Sequence, residues 1–341
     1  MRFIQVGVGG FGRVWLQALA NNRDARLTAL VDVNPAALDI ACETVGLRRD
    51  QGYASLADAL ARHDAEAVVC VTPPEHHRAV IVEALEAGLH VISEKPMAAG
   101  LADCRAILRA ARKSGRLCAV SQNYRYRPPT WTLAKTVGKG TVGEIGQVRV
   151  DFYKGHDFGG GFRHEMDYPV LVDMAIHHFD LLRFITGLDA VAVRGTAWNP
   201  PWSNYRGDCS SSVVFEMSNG TRAVYNASWC AKGDYCSWDG DWLIEGSRGA
   251  LTYRGDTITL NVAPDLYTVK RSRPVRARTM RRTGQAYVLA EFMKAVRNGS
   301  PFPTDVRDNI RSVAMVFAAV KAVRTGRRVP VLDTATAKLL E

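Results

Sequence analysis

The first part of the chain alternates short apolar runs with longer amphipathic segments. Amphipathic stretches at 75–88 and 101–115 end at Gly88 and Gly115, and glycine commonly terminates a helix. The apolar runs have the length of buried strands, and they span residues 3–8, 27–33, 67–73, 90–96 and 117–123. Apolar strands that alternate with helices predict a parallel sheet covered on both faces. We therefore expect a doubly wound α/β domain over residues 1–123.

From about residue 148 the pattern changes to an alternation of apolar and polar positions with a period of two. The alternating runs span residues 148–154, 211–217, 221–229 and 242–253. Ser218-Asn219-Gly220 lies between two of these runs and predicts a hairpin turn. This pattern is typical of antiparallel strands with one face against helices. We assign residues 124–341 to a second domain of this kind.

A largely apolar helix is predicted from Val170 to Phe184. Asp173 and His177 lie four residues apart and share one face of that helix, with Asp180 about two turns from Asp173. Buried carboxylates and imidazoles are costly unless they are satisfied or used. The pair is therefore either a satisfied structural pair or part of a functional site.

Composition excludes several classes of protein. With 341 residues and 47% apolar residues, the chain is long enough for two globular domains. Charges interrupt every apolar run before it reaches ~18 residues, and no signal-peptide pattern opens the sequence. We therefore expect no contact with a membrane and a cytoplasmic location. The seven cysteines are widely spaced, which predicts free thiols and no metal site.

The net charge of +10 is concentrated in residues 270–282, which contain seven basic residues and no acidic one. A run of this kind is usually a solvated loop, although it could contact an anionic substrate or a neighbouring subunit. It has no interleaved aromatic residues and matches no known nucleic-acid-reading motif, so we expect no nucleic-acid partner.

A glycine-rich turn follows the first predicted strand and opens a helix. In GVGGFG, Gly7, Gly9 and Gly12 have the spacing that lets a chain turn tightly, approach a pyrophosphate and pack a helix on a strand. Asp32 ends the second strand, where a carboxylate accepts hydrogen bonds from the adenosine ribose and repels a 2′-phosphate. These residues predict a Rossmann-type domain that binds NAD rather than NADP. The alternatives are a glycine-rich turn without a nucleotide and an Asp32 that only caps the next helix.

Two further motifs, VTPPEHH at 71–77 and SEKPMA at 93–98, follow predicted strands. Together with GVGGFG and the Asp173-x-x-x-His177 helix, they make the chain resemble the glucose–fructose oxidoreductase/inositol dehydrogenase/MocA (Gfo/Idh/MocA) family over essentially its whole length. The resemblance implies a second α/β domain with a large open, mostly antiparallel sheet. It also implies a homodimer or homotetramer formed through that sheet, and redox chemistry with a pyridine nucleotide on sugars, cyclitols and related polyols.

The resemblance also assigns site residues. The implied catalytic residues are Lys95, Asp173 and His177. The implied cofactor-binding residues are Gly7, Gly9, Phe11, Gly12, Asp32, Thr72, Pro73, His77, Glu94, Lys95 and Asn123. We expect the substrate to be bound by Lys95, Asp173 and His177, and also by Arg163 and His164 from the glycine-rich segment 155–168, which we interpret as a rim of the pocket. Phe162 and Ala175 stand where the family commonly has Trp and Gly.

Oxidising a secondary alcohol requires a base for the hydroxyl proton while hydride leaves the carbon. His177 can titrate near neutral pH, and Lys95 could stabilise the alkoxide or act as the base itself, so both assignments stay open. Asp173 could orient the imidazole or bind a substrate hydroxyl. We interpret His178 and Asp180 as structural, and His76, His156 and His164 as surface or rim residues.

Three functions fit these residues. The first is an NAD-dependent sugar or polyol dehydrogenase. The second is a glycoside-cleaving enzyme that oxidises its substrate transiently, with no net redox change. The third is a non-catalytic nucleotide-binding regulator, which would have no need of Lys95, Asp173 and His177.

Overall fold

The computed structural model describes all 341 residues, and they divide into two compact units. The first unit contains residues 1–123 and 282–310 with Leu340, and the second contains residues 124–281 and 311–339 with Glu341. The sequence prediction had placed 282–310 in the second domain. In the structure this segment packs within the first unit, where the Thr304 hydroxyl donates to the Val120 carbonyl oxygen at 2.6 Å. A contact across 184 residues leaves no local sequence pattern.

The first unit is built on a six-stranded, all-parallel sheet with the order β3-β2-β1-β4-β5-β6. Its strands are β1 (Arg2–Val6), β2 (Arg26–Val31), β3 (Gly52–Tyr53), β4 (Ala67–Cys70), β5 (His90–Ser93) and β6 (Cys118–Val120). The predicted doubly wound sheet is confirmed. β3 was missed, because its two half-buried residues form no apolar run.

Helices connect the strands of this sheet: α1 (Gly12–Ala20), α2 (Pro35–Val45), α3 (Leu56–Leu60), α4 (Pro74–Glu86) and α5 (Leu101–Ser114). The Asn34 side chain caps α2 by accepting the backbone N–H groups of Ala36 and Ala37, and Pro35 occupies a position that needs no N–H donor. Gly115 ends α5 with a left-handed φ of 67°. The helix boundaries therefore follow the local signals that the sequence carries.

The second unit is built on a nine-stranded sheet with the order β14-β13-β12-β11-β7-β10-β9-β8-β15. Along the chain its elements are α6 (Pro128–Val137), β7 (Ile145–Tyr153), α7 (Phe162–Glu165), α8 (Ala175–Thr186), β8 (Ala190–Trp198), β9 (Ser210–Met217), β10 (Arg222–Ser228), β11 (Asp241–Gly246), β12 (Gly249–Arg254), β13 (Thr257–Val262) and β14 (Arg271–Pro274). α9 (Gly284–Asn298) belongs to the first unit, and α10 (Val306–Thr325) begins in the first unit and continues in the second. β15 (Val329–Pro330) and α11 (Thr334–Lys338) complete the second unit. Only β7 and β10 pair in parallel, so the predicted mostly antiparallel sheet is confirmed.

One face of the nine-stranded sheet packs on α8. Phe215 of β9 and Tyr225 of β10 contact Phe179 edge to face, with ring centroids 4.8 and 5.0 Å apart. The alternate residues Val214 and Val224 project from the opposite face and are half-buried. The basic run at 270–282 contributes β14, whose four residues are all exposed at one edge of the sheet.

None of the helices combines the length and the apolar composition that a membrane-spanning helix requires. All seven cysteines are buried, and none is in a disulfide.

Candidate active site

The glycine-rich turn lies between β1 and α1, and its glycines serve different needs. A Cβ on Gly7 would lie 2.6 Å from the carbonyl carbon and oxygen of Val71, and one on Gly12 would overlap the carbonyl oxygen of Gly7. Gly7 also has a left-handed φ of 88°. Gly9 has no atom within 4 Å of its Cβ position. Gly7 and Gly12 thus permit close packing of the chain, while Gly9 leaves space that a ligand could enter.

The N-terminus of α1 follows directly on this space. Phe11 precedes the helix, and no side chain caps the first N–H groups. The Phe11 side chain is 51% exposed. The N–H groups of Gly12 and Val14 donate to the carbonyl oxygens of Gly9 and Phe11 at 2.7 and 3.1 Å. The N-terminal end of the helix still carries partial positive charge, which attracts phosphate. Together with the open Gly9 position, this arrangement fits a pyrophosphate.

Asp32 connects the end of β2 to the glycine-rich turn. Its Oδ2 accepts the backbone N–H of Val8, and its Oδ1 accepts that of Asn34, both at 2.9 Å. Asn34, and not Asp32, caps α2. Carboxylate oxygens each have two lone pairs, so the two bonds leave capacity for ribose hydroxyls. The donor and acceptor groups of the first unit therefore fit NAD.

His77 connects the loops that follow β4 and β5. Its ring is buried, with Nδ1 2.9 Å from the carbonyl oxygen of Pro96 and Nε2 2.9 Å from that of Thr72. Burial lowers the pKa of His77. At 1% exposure the side chain packs between these loops and supports the Thr72-Pro73 turn. The cofactor contact expected for His77 stays a prediction.

Glu94 holds the backbone of Lys95 in place. Its Oε1 accepts the indole N–H of Trp15 at 2.8 Å, and its Oε2 accepts the backbone N–H of Lys95 at 3.1 Å. Burial raises the pKa of Glu94, which is 7% exposed. Glu94 is thus a positioning residue for its neighbour, and Lys95 itself is half-buried just beyond β5. Asn123, also half-buried, follows β6 at the same carboxyl-terminal edge of the sheet, where such folds bind ligands.

In the second unit, the predicted helix over 170–184 begins with a π-helical turn at Val170–Met174, in which the Ala175 N–H bonds to the Val170 carbonyl five residues earlier. The α-helical part, α8, starts only at Ala175. Asp173 therefore lies in the π turn and His177 in the first turn of α8, so the two are not on one regular helix as the sequence suggested. Single π turns are frequent at functional sites.

Arg163 of α7 holds the Asp173 carboxylate, because its Nε donates to Oδ2 at 2.7 Å. The guanidinium also lies 4.6 Å from the ring centroids of both Phe158 and Phe162. A planar cation fixed by a carboxylate and two aromatic rings has little freedom to turn. Sequence reasoning placed Arg163 near the substrate, and the structure adds that it orients Asp173.

His177 is 6% exposed and stacks on Tyr124, with ring centroids 3.9 Å apart and an interplanar angle of 14°. The Arg127 guanidinium carbon lies over the Tyr124 ring at 3.4 Å from its centroid, so Tyr124 is enclosed between the cation and the imidazole. Asp239 anchors Arg127 at 2.6 Å. Sequence reasoning missed this support for His177; the alternation of Tyr and Arg over 124–127 is its only local signal.

Comparison with known proteins identifies the family. The sequence model described as "Oxidoreductase family, NAD-binding Rossmann fold" matches residues 1–122, and the one described as "GFO/IDH/MocA C-terminal domain" matches residues 130–252. The chain belongs to the Gfo/Idh/MocA oxidoreductase family. The resemblance predicted from the sequence is thus confirmed.

The sequence of this Gfo/Idh/MocA protein aligns with those of named relatives over nearly the whole length of both chains. It is 29% identical to inositol 2-dehydrogenase of Rhizobium meliloti, over 97% of this chain and 99% of that one. It is 25% identical to D-apiose dehydrogenase of Paraburkholderia graminis, over 95% and 88% of the two chains. A crystal structure of an Agrobacterium radiobacter oxidoreductase in complex with NAD+, L-tartaric acid and magnesium has the same fold, with a TM-score of 0.87, 20% identity and coverage of 97% and 98%.

His178 and Asp180 of this Gfo/Idh/MocA family member were expected to have structural roles. His178 is buried, with Nδ1 3.0 Å from the Tyr225 hydroxyl and Nε2 3.1 Å from the Trp238 carbonyl oxygen. Asp180 accepts two hydrogen bonds from Arg125, both at 2.6 Å. Both residues are structural.

His76 and His156 are exposed, as predicted. His164 was expected at the surface or at the rim of the site; a surface position is wrong, since this residue is 9% exposed and its ring stacks on Tyr205 with centroids 4.6 Å apart. Its expected contact with the substrate stays a prediction. An aromatic neighbour distant in sequence covers it, and local pattern does not reveal such a partner.

Proposed function

We propose that this chain is an NAD-dependent dehydrogenase that transfers a hydride between nicotinamide and a secondary alcohol or ketone of a sugar, cyclitol or sugar derivative. The family is an NAD-binding oxidoreductase family. The named relatives are an inositol 2-dehydrogenase and a D-apiose dehydrogenase, and both match nearly the whole chain. A polyhydroxylated substrate is the class that they share.

The observation that carries the cofactor proposal is the Asp32 carboxylate beside the glycine-rich turn. Asp32 would bind the adenosine ribose, and the N–H group of Gly9 and the positive end of the α1 dipole would bind the pyrophosphate. Thr72, Pro73 and Asn123 follow other strands of the same edge and would contact the nicotinamide half. Bound NAD would supply the hydride acceptor. The residues after Asp32 are Val, Asn and Pro, none of which would bind a 2′-phosphate, and this favours NAD over NADP.

We further propose that Lys95, Asp173 and His177 act on one substrate. In one version of the step His177 takes the hydroxyl proton as the hydride departs, and the Lys95 ammonium stabilises the developing negative charge. In the other a neutral Lys95 amine takes that proton itself. The Asp173 carboxylate, oriented by Arg163, accepts a hydrogen bond from a substrate hydroxyl. Stacking on Tyr124 restrains the His177 ring, so that its reactive nitrogen has a fixed direction.

One screen separates this proposal from its alternatives. The purified protein is tested for bound nucleotide and then incubated with free sugars, cyclitols and glycosides, while NADH absorbance and aglycone release are followed. Net NADH formation from a free polyol or sugar supports the dehydrogenase. Aglycone release without net NADH indicates transient oxidation, and nucleotide binding with neither activity indicates a regulator.

A further inference from the structure

Two cysteines of the second unit touch each other. Cys209 immediately precedes β9, and Cys230 lies two residues after β10, its antiparallel neighbour. Their sulfur atoms are 2.8 Å apart, although neither is in a disulfide. Cys209 is 0% exposed and Cys230 is 9% exposed. The pairing of β9 with β10 brings together two thiols that are 21 residues apart in sequence.

Hydroxyl groups surround this pair. The Ser203 Oγ lies 3.2 Å from the Cys209 Sγ, and the Oγ atoms of Ser228 and Ser210 lie 3.5 and 3.7 Å from the Cys230 Sγ. The hydrogen bond from Cys209 lowers the pKa of Cys230, and the serine hydroxyls act in the same direction against the effect of burial. A thiolate is the nucleophilic form of cysteine, so Cys230 is the member of the pair suited to react first.

We propose that Cys209 and Cys230 are a redox-active dithiol that peroxide converts reversibly into an intramolecular disulfide. The Cys230 thiolate attacks one oxygen of hydrogen peroxide, the O–O bond breaks, and the departing hydroxide takes up a proton as water. Cys230 is then a sulfenic acid. The Cys209 sulfur attacks the Cys230 sulfur, the S–O bond breaks, and the thiol proton leaves with the hydroxyl as a second water. Two thiols are oxidised and one peroxide is reduced to two waters.

The geometry suits this reaction because little movement is needed. A disulfide has an S–S distance of about 2.05 Å, so the two sulfurs need to approach by less than about 1 Å. Cys236, the other cysteine of the second unit, instead lies with its Sγ 3.1 Å from the Tyr153 amide nitrogen. Cys236 therefore offers a matched control in the same unit.

The dithiol also holds the segment between β8 and β9. The Cys209 Sγ lies 3.2 Å from the Asn199 side-chain oxygen, and the Trp202 indole N–H donates to the Cys230 carbonyl oxygen at 2.8 Å. The single Cys209 S–H can donate either to Asn199 or to the Cys230 sulfur, and a disulfide has no S–H donor for either. Trp202 is 55% exposed and reports such a change by its fluorescence.

The test uses the full-length protein under native conditions. Protein is treated with one equivalent of hydrogen peroxide, free thiols are alkylated, and peptides are analysed by mass spectrometry. We expect a cross-linked Cys209–Cys230 peptide, two hydrogens lighter than the reduced pair, which a dithiol reductant restores. Trp fluorescence should change and recover in parallel.

Two variants and a control make the result specific. Cys230→Ser should abolish the cross-link, and Cys209→Ser should leave Cys230 as a sulfenic acid that dimedone traps. Cys236→Ser should form the cross-link as the wild type does. The proposal is overturned if both thiols stay reduced at peroxide concentrations that oxidise free glutathione, or if the only disulfides formed join two chains. No outcome depends on enzymatic activity, so the proposed function is tested separately.

Discussion

Asp32 combines a structural and a proposed binding role in one side chain. It holds the glycine-rich turn through the Val8 amide, and we expect it to bind the ribose of NAD. Asp32→Ala should weaken NADH binding by about tenfold or more, since hydrogen bonds to a charged group contribute about 1.5–3 kcal/mol. NADPH binding should weaken less, because repulsion of the 2′-phosphate is lost at the same time. Both affinities are measured by titrating the protein with NADH or NADPH while nicotinamide fluorescence is followed. Glu43→Ala, an exposed change on α2, is the control, and an unchanged preference would show that another residue selects the nucleotide.

Lys95 tests the proposed chemistry at the scale of one residue. Lys95→Ala should lower kcat by about 10²–10⁴-fold, as expected for loss of a proton-transfer or charge-stabilising group, with little change in NADH affinity. Lys95→Arg then separates the two roles, because guanidinium keeps the charge but does not give up its proton. Partial recovery in Lys95→Arg assigns the proton to His177, and no recovery assigns it to Lys95. The exposed Lys113→Ala is the control. Near-normal turnover in Lys95→Ala would refute the assignment.

Helix α8 carries both proposed chemistry and a buried ion-pair network. While His177 stacks on Tyr124, Asp180 accepts two bonds from Arg125 and one from the Ser312 hydroxyl at 2.8 Å. Removing one member of a buried pair typically costs about 3–5 kcal/mol, because the other charge stays buried. Asp180→Asn should therefore lower the free energy of unfolding by several kcal/mol in chemical denaturation.

Replacing both members of this pair tests whether the stability is lost because one charge stays buried without its partner. Arg125→Met combined with Asp180→Leu removes both charges and should recover much of the loss. Glu216→Gln breaks an exposed pair with Arg328 and should change stability little. If Asp180→Asn is no more harmful than Glu216→Gln, the network does not hold α8.

His178, also on α8, should make stability depend on pH. Burial lowers its pKa to about 4, whereas an unfolded imidazole titrates near ~6.5. Between these values the unfolded chain binds a proton that the folded chain does not, so stability falls as pH falls from ~6.5 to ~4. At pH ~5 this amounts to about 2 kcal/mol. His178→Gln should reduce the loss of unfolding free energy between pH ~7 and ~5, and the exposed His76→Gln should not. An equal pH dependence in all three proteins would contradict this reading.

The sequence predicts those boundaries of helices and strands that are determined by neighbouring residues. Asn34-Pro35 and Gly115 mark helix ends because capping depends on neighbouring residues. The π turn at Val170–Met174 was missed, since it differs from an α-helix by one backbone hydrogen bond and not by hydrophobic pattern. Residues that meet across the fold were missed as well: the support of His177 by Arg127 and Asp239 spans 112 positions, and no period in the sequence encodes it.

The nine-stranded sheet packs one face on α8, and residues on its opposite face are half-buried. Val214 and Val224 pair directly on that face and are half-buried, whereas their neighbours Phe215 and Tyr225 are buried on the face that contacts Phe179. We expect a second copy of the chain to cover this opposite face, giving a homodimer or homotetramer.

Val224→Glu would then place a carboxylate in the interface without touching the buried face. It should shift the protein towards monomer, as measured by sedimentation velocity over a range of concentrations. Leu266→Glu adds the same charge at a residue that is 94% exposed, away from the strands, and should leave assembly unchanged. A wild-type protein that stays monomeric at every concentration would contradict this prediction. So would Val224→Glu and Leu266→Glu proteins that associate to the same extent.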